Sequence, residues 1–513
     1  MLAKVKSSVL HGIDAKEVTV EVDVNFQGLP SFSIVGLPDM AVRESIQRVK
    51  KAINNSGFRF PDHKIIVNLA PAGIKKEGPS FDLPMALGIL AATEQMDKEN
   101  LEDVFACGEL SLDGNLRPLN GILSRVSHMK GKGIKKCIIP FENGREARLV
   151  REVAIWAMPN LYDAVQALSG NIPPKASDMN QKKIWAKDIS YDIDFSDVKG
   201  HSHIKRGLEI AAAGGHNVLM VGPPGSGKTM LAKRIETILP EMNFEEAIEC
   251  TKVYSVSGNA PNADSLIRKR PFRSPHHSIS YSGLIGRSNP SAPGEITLAH
   301  NGVLFLDEFP EFHRDILAML RQPMEDGFIN ISRSSGSISY PSRFTLVAAL
   351  NPCVCGYFGH PKKECHCTVP MIQRYISKIS GPLLDRIDIH LEVPPLNYKQ
   401  LSENKAAETS RDIKKRVIRA RAIQNKRYKN KIQRVNALLT PREMQKHCTL
   451  TNEARELLKL AITELNLSGR AYDKVLKIAR TITDLAGEVE IGASHIAEAI
   501  GYRSLDRRMW LSF

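Results

Sequence analysis

Along the first 170 residues, short runs with apolar residues at every second position alternate with runs whose apolar positions recur every three or four. "EVTVEVDVNF", "SFSIVGL", "HKIIVNLA" and "KKCIIPF" are of the first kind; "MAVRESIQRVKKAINNSG" and "DLPMALGILAATEQM" are of the second. A period of two lines one face of a strand, and a period near 3.6 lines one face of a helix. The mixture predicts an α/β domain over 1–170. The polar stretch "NIPPKASDMNQKK" breaks the pattern and predicts a linker over 171–190. Three strongly apolar runs, "NVLMVG", "GVLFLDE" and "FTLVAALN", then predict a second α/β domain over 191–392. From 393 to 513 the spacing is helical, as in "EARELLKLAITEL" and "YDKVLKIARTITDLA".

Composition narrows the class. A chain of 513 residues exceeds one core, and 42% hydrophobic with 25% charged residues is globular. No run of eighteen apolar residues occurs, and the N-terminus lacks the apolar stretch of a signal peptide, so a cytoplasmic protein without a membrane span is expected. The formal net charge is +14, and thirteen Lys or Arg face two acids between Arg411 and Lys446. Such a surplus suits a polyanion-binding face, or else a solvated basic helix. Eight cysteines in a chain of this kind do not suggest a disulfide framework.

Candidate chemistry begins at "GPPGSGKT": Gly222, Pro223, Pro224, Gly225, Ser226, Gly227, Lys228 and Thr229, between an apolar strand and a helix. This is the context in which a Gly-rich loop cradles phosphates with its backbone N–H groups. Lys228 would reach the β- and γ-phosphates of ATP, and Thr229 would bind Mg²⁺. "GVLFLDE" then presents Asp307, a second Mg²⁺ partner, and Glu308, which can polarise an attacking water. "FTLVAALNP" places Asn351 at a third strand end, where it can hydrogen-bond the water or the γ-phosphate.

This order of phosphate loop, Asp-Glu strand and Asn-ended strand resembles the AAA+ ATPases. The resemblance extends to "DFSDVKGHSHIK" and implies Val198 and Gly200 near the adenine. It extends also to "PLLDRIDIH" and "LSGRAYDKVL", and implies Arg386 as an arginine finger and Arg470 as a second sensor arginine on a helical lid. An arginine supplied from a neighbour makes hydrolysis depend on a ring.

About eighty residues separate Lys228 from Asp307, more than a plain core requires. The excess holds "IRKRPFRSPHHSISYSGLIG", with Lys269, Arg270, Arg273, His276 and His277. "GFINISRSSGSISYPSRF" reads as a hairpin with Arg333 near its turn. Both resemble elements that line the channel of the magnesium-chelatase and MCM-like branch, where Lys269, Arg270, Arg273 and Arg333 would contact nucleic acid. After Asn351 comes "PCVCGYFGHPKKECHC". Cys353, Cys355, Cys365 and Cys367 can enclose one tetrahedral Zn²⁺, or can be reduced structural or redox thiols.

The N-terminal domain resembles the proteolytic domain of Lon-type proteases, with Ser80 of "KEGPSFDL" in the serine position. Aligning "LRPLNGILSRV" with that family's lysine segment puts Leu123 where the general base belongs, so the domain is expected to be inactive. Together these parts resemble the ComM/YifB family over essentially the whole chain. That resemblance implies a hexameric ring ATPase acting on DNA, driving branch migration of recombination intermediates in natural transformation. The alternatives are a magnesium-chelatase-like motor subunit and an ATP-dependent protease or unfoldase, for which Tyr281 and Tyr340 would be the pore aromatics.

Overall fold

The computed structural model describes residues 1–27, 29–171, 189–259, 266–288, 291–333, 336–395, 407–429, 434–465 and 468–503. Most of the expected linker, and the hairpin tip at Ser334 and Ser335, lie outside them.

The first part is a seven-stranded mixed sheet. Across it run Ser31–Val35, Lys64–Ala70, Asp14–Asn25, Leu2–His11, Val104–Ala106, Lys136–Pro140 and Ala154–Met158. Leu2–His11 and Asp14–Asn25 pair antiparallel along their length, and the edge strands pair in parallel. The helix Asp82–Ala92 is buried on every side, which is why its sequence shows no polar face.

The second part is a five-stranded parallel sheet in the order Phe272–Arg273, Gly302–Leu306, Phe344–Leu350, Val218–Val221, Ile389–Glu392. The strand feeding the phosphate loop is thus flanked by the Asn351 strand and by Ile389–Glu392. Its residues, and those of Gly302–Leu306, are buried throughout. Ligands of open parallel sheets bind beyond the carboxyl ends of such strands, where Gly222, Asp307 and Asn351 stand.

One expectation is corrected here. Lys269 to Arg273 do not form a free inserted loop, because Phe272 and Arg273 pair with Val303 and Leu304 as an edge strand of the main sheet. Phe272 packs on Phe305 with ring centroids 6.0 Å apart. The inserted material begins after this strand, with the short helix Tyr281–Ile285 and the small hairpin Gly286–Ser288/Ser291–Pro293. The second hairpin forms as read, Phe328–Arg333 against Gly336–Pro341. Tyr340 on its returning arm is fully buried, so it presents no pore aromatic, whereas Tyr281 is 51% exposed.

The first part docks on this core. Leu123 is fully buried against Met242, Ala247, Cys250 and Leu266. Ile13, at the turn between the first two strands, joins Val253, Leu298, Ile338 and Tyr340. Across the seam the Gly121 N–H donates to Ser255 Oγ at 3.0 Å, while within the first part Ser124 Oγ donates to the Ile13 carbonyl at 2.5 Å.

The C-terminal part is helical: Ser410–Arg427, Pro441–His447, Asn452–Leu465, Gly469–Ala486 and Ala493–Gly501. The basic helix Ser410–Arg427 buries Ile413, Val417, Ala420 and Gln424 against the core. Several of its arginines also face inward. Arg421 donates to the Ala212 carbonyl at 2.9 Å, Arg416 pairs with Glu209 and Glu408, and Arg427 pairs with Asp484. Arg411, Lys415, Arg419 and Lys426 remain on the exposed side, at intervals that keep them near one face.

Candidate nucleotide-binding site

The phosphate loop takes its shape from its glycines. Gly225 and Gly227 have φ of +77° and +89°, the left-handed region that favours glycine. A Cβ at Gly222 would stand 2.2 Å from the Val393 carbonyl oxygen, so only glycine fits there. The helix Lys228–Ile238 starts directly after Gly227, which turns its free N–H groups toward the loop's concavity.

Lys228 Nζ is 2.7 Å from the Gly222 carbonyl, 2.9 Å from that of Pro223 and 3.1 Å from Asn351 Oδ1. Burial lowers its pKa, partly offset by the nearby Asp307. A desolvated ammonium that borrows neutral carbonyls is ready for a stronger anionic partner. Thr229 Oγ1 donates to Asp307 Oδ2 at 2.6 Å, so the two groups read as Mg²⁺ partners are adjacent. Both are oxygen donors of the hard kind that Mg²⁺ takes alongside water and phosphate.

Glu308 has φ of +51° and follows Asp307, whose Oδ1 accepts its N–H at 2.9 Å. Its Oε2 lies 2.9 Å from Nδ1 of His277. His277 thus contacts the Asp307–Glu308 pair, a contact that sequence pattern does not reveal because it joins distant stretches of chain. His201 is a second such residue. Its backbone has φ of +54°, it is 8% exposed, and its ring donates a hydrogen bond to the Ser226 backbone carbonyl. The neighbouring Val198 is fully buried, with its carbonyl accepting from Lys205 Nζ at 2.6 Å, and Gly200 has φ of +64°.

Arg386 and Arg470 are not part of this convergence. Arg386 is held by Glu325 and the Pro382 carbonyl, and Arg470 is 3.2 Å from Asp385. None of those partners belongs to the phosphate loop, to Asp307–Glu308 or to Asn351.

The proposed nucleic-acid cations are mostly engaged inside the fold. Arg270 bonds Glu246 at 2.9 Å and the Pro240 and Asn301 carbonyls at 2.7 Å each. Arg273 makes a two-pronged contact with Glu295 at 2.6 and 2.7 Å. Both are thereby tied into the fold by acidic and carbonyl partners, unlike the free phosphate contacts expected of them. Lys269 pairs with Glu236 at 3.3 Å and lies over Tyr191, yet stays half exposed. Arg333 is the last residue of its strand.

Immediately beyond Asn351, the Sγ atoms of Cys353, Cys355, Cys365 and Cys367 all lie within 4.8 Å of one another. Three separations are 3.3, 3.7 and 3.6 Å. A tetrahedral ion with zinc–sulfur bonds of about 2.3 Å requires edges of about 3.8 Å, so the donor set fits Zn²⁺. The Phe358 N–H also donates to Cys353 Sγ at 3.3 Å, a contact that favours thiolate at that position.

In the first domain, Ser80 is 2% exposed, and its Oγ has no hydrogen-bond partner among the described residues. Lys75 pairs with Glu77, and Lys76 donates to the Pro71 carbonyl. Leu123, in the position expected for a general base, packs away into the seam with the ATPase core.

The comparisons with known proteins agree with this architecture. Residues 194–401 match the family described as "Magnesium chelatase, subunit ChlI", 20–143 match "Subunit ChlI of Mg-chelatase", and 407–503 match its C-terminal part. The competence protein ComM of Haemophilus influenzae is 43% identical over 99% of this chain and 98% of its own length. YifB of Salmonella typhimurium is 42% identical over the same shares. A shorter match, 31% identical over 29% of this chain and 28% of the relative, joins it to Lon protease 2 of Bacillus subtilis. The chain is therefore a member of the ComM/YifB family, with a magnesium-chelatase-like AAA+ core and a helical C-terminal part.

Proposed function

We propose that the protein is an ATP-hydrolysing DNA motor that works as a hexameric ring and moves branched recombination intermediates. The observation that carries the reading is the split between the two halves of the hydrolytic apparatus. Lys228 bonds Asn351, the adjacent Thr229 bonds Asp307, and Glu308 follows Asp307 in sequence. Arg386 and Arg470, the cations expected to stabilise transition-state charge, are bonded elsewhere in the same protomer. A neighbouring copy that brings its Arg386 to the γ-phosphate completes such a site, and hydrolysis then depends on assembly.

Within one protomer, the loop N–H groups and Lys228 bind the phosphates. Mg²⁺ held by Thr229 and Asp307 would neutralise the β- and γ-oxygens. Glu308 orients and polarises the water, and Asn351 fixes its position. Arg470 responds from the lid.

DNA is the favoured track for two reasons. The relative from Haemophilus influenzae is named a competence protein, and the exposed side of the basic helix carries Arg411, Lys415, Arg419 and Lys426. Lys269 and Arg333 remain as candidate contacts. The domain arrangement is read as an inactive Lon-like domain over 1–170, the ATPase core over 191–392 and the basic segment with lid over 393–513. The four thiolates are read as a Zn²⁺ site that ties down a loop with little core of its own. The family matches to a chelatase subunit favour a second reading, a motor that inserts Mg²⁺ into a porphyrin with partner proteins.

ATP hydrolysis measured with single-stranded, duplex and four-way DNA separates the two. Stimulation that depends on DNA form supports the motor. A rate indifferent to DNA but raised by a porphyrin-binding partner supports the chelatase reading.

A further inference from the structure

The four-cysteine loop meets the nucleotide site at two points, and the strand end it follows supplies a third link. Only Pro352 separates Cys353 from Asn351, whose Oδ1 is 3.1 Å from Lys228 Nζ. The Leu350 carbonyl accepts the Gly222 N–H at 3.2 Å, joining the same strand end to the first glycine of the phosphate loop. Gly356, inside the cysteine loop, lies directly on Pro224. A Cβ there would stand 2.6 and 2.7 Å from the proline Cδ and Cγ, and its φ is +82°. The Gly356 N–H donates to the Cys353 carbonyl at 3.0 Å, so the glycine is placed by the first cysteine.

Little else holds this loop. Cys353 packs against Ile372, Tyr375 and Ile376, but residues 353–367 contain no helix or strand, and 359–364 are exposed or half-exposed. A segment of that composition cannot hold its shape through apolar burial. Four sulfurs gathered within 4.8 Å can, once they share an ion.

We propose that the Cys353, Cys355, Cys365 and Cys367 site, filled by zinc, is the rear support of the phosphate loop and so sets the affinity of the protein for nucleotide. The ion fixes Gly356 against Pro224 and anchors the strand end that carries Asn351. Without it, the loop withdraws from Pro224, Asn351 loses its alignment with Lys228, and the phosphate cradle is no longer held open. The proposal rests on the reading of 222–229 as an ATP site and of the thiolates as a zinc site, but not on DNA as the track.

The test uses the full-length protein without DNA. Zinc per protomer is measured by elemental analysis, and the Kd for a fluorescent ADP analogue is measured in excess Mg²⁺. Measurements are made before and after treatment with a zinc-selective chelator, and again after one equivalent of Zn²⁺ is returned. The expected result is one zinc per protomer, affinity weakened roughly tenfold or more on its removal, and recovery on its return. Gly356→Ala supplies an independent arm, since it leaves all four sulfurs in place. It should keep one zinc per protomer while weakening nucleotide binding.

Protein with full zinc that binds the analogue equally well after removal overturns the proposal, as does a Gly356→Ala variant of unchanged affinity. Absence of cysteine-bound zinc overturns it by way of the metal reading. Loaded protein that binds no nucleotide, and matches Lys228→Ala in this, overturns it by way of the ATP-site reading instead.

Discussion

Nδ1 of His277 stands 2.9 Å from Oε2 of Glu308, so the carboxylate proposed to activate water is held by a residue from the inserted segment. With Nδ1 as the donor, the bond draws electron density from the carboxylate and fixes its direction. Removing it frees Glu308 to meet a water. A hydrogen bond of about 0.5–1.5 kcal/mol corresponds to a change of roughly 2- to 12-fold. His277→Ala is expected to raise DNA-independent ATP hydrolysis by that factor, and Glu308→Gln to abolish the rise. A rate that falls in His277→Ala would show that the imidazole assists catalysis instead.

The hydrolytic residues themselves have graded consequences. Lys228→Ala removes the cation that the loop carbonyls and Asn351 surround, and nucleotide binding should be lost. Glu308→Gln keeps the size of the side chain but loses its basicity, so binding should persist while turnover drops by at least about 100-fold. Equilibrium binding beside steady-state turnover separates the two.

The basic helix offers a different contrast. Arg419 and Lys426 lie on its exposed side, whereas Arg273 is tied to Glu295. If phosphates are the ligand, Arg419→Ala combined with Lys426→Ala should lower the slope of log K against log salt by about 2. Arg273→Ala should lower the unfolding temperature and leave that slope unchanged.

Much of the nucleotide site was legible in the sequence because its parts are local. The phosphate loop, the Asp307–Glu308 pair and Asn351 each sit at the end of an apolar strand, and a strand end is visible as the place where apolar residues stop. The positions of Arg270 and Arg273 were not legible. Their charge pattern is that of a phosphate-binding loop, and only the pairing of Phe272 with Val303 shows that they border the main sheet. The same holds for His277 and His201, whose roles arise from contacts across long stretches of chain. Arg416, Arg421 and Arg427 look alike in sequence to Arg411 and Arg419, and it is the packing of Val417 and Ala420 that turns the first set inward.

Leu123 makes the seam between the first domain and the ATPase core. Leu123→Lys puts an amine among apolar side chains at a cost of at least about 2 kcal/mol. The variant should therefore unfold at a lower temperature and still fail to degrade casein, as should wild type and Ser80→Ala. Casein cleavage by wild type that vanishes in Ser80→Ala would contradict the reading of that domain.

A hydrogen bond from His300, with further help from its charge, holds the Glu249 carboxyl down at about 2 against the effect of burial. A carboxyl whose folded value lies below its unfolded value stabilises the fold fully above the unfolded pKa. That contribution is lost as pH falls through the folded value. Stability should therefore decline between about pH 4.5 and pH 2. Glu249→Gln should flatten that part of the profile, measured by chemical denaturation at fixed salt.

The central claim, that a nucleotide site completed between protomers drives movement on DNA, is tested most directly by ATP turnover in mixtures of two variants. Glu308→Gln protomers and Arg386→Ala protomers are combined at a fixed total concentration with four-way DNA. Each variant alone should be inactive. Mixing should restore turnover, because a wild-type Glu308 site can then receive a wild-type Arg386 from its neighbour. Absence of restored turnover in mixed assemblies, or DNA-stimulated hydrolysis by protein that stays monomeric, would contradict the account.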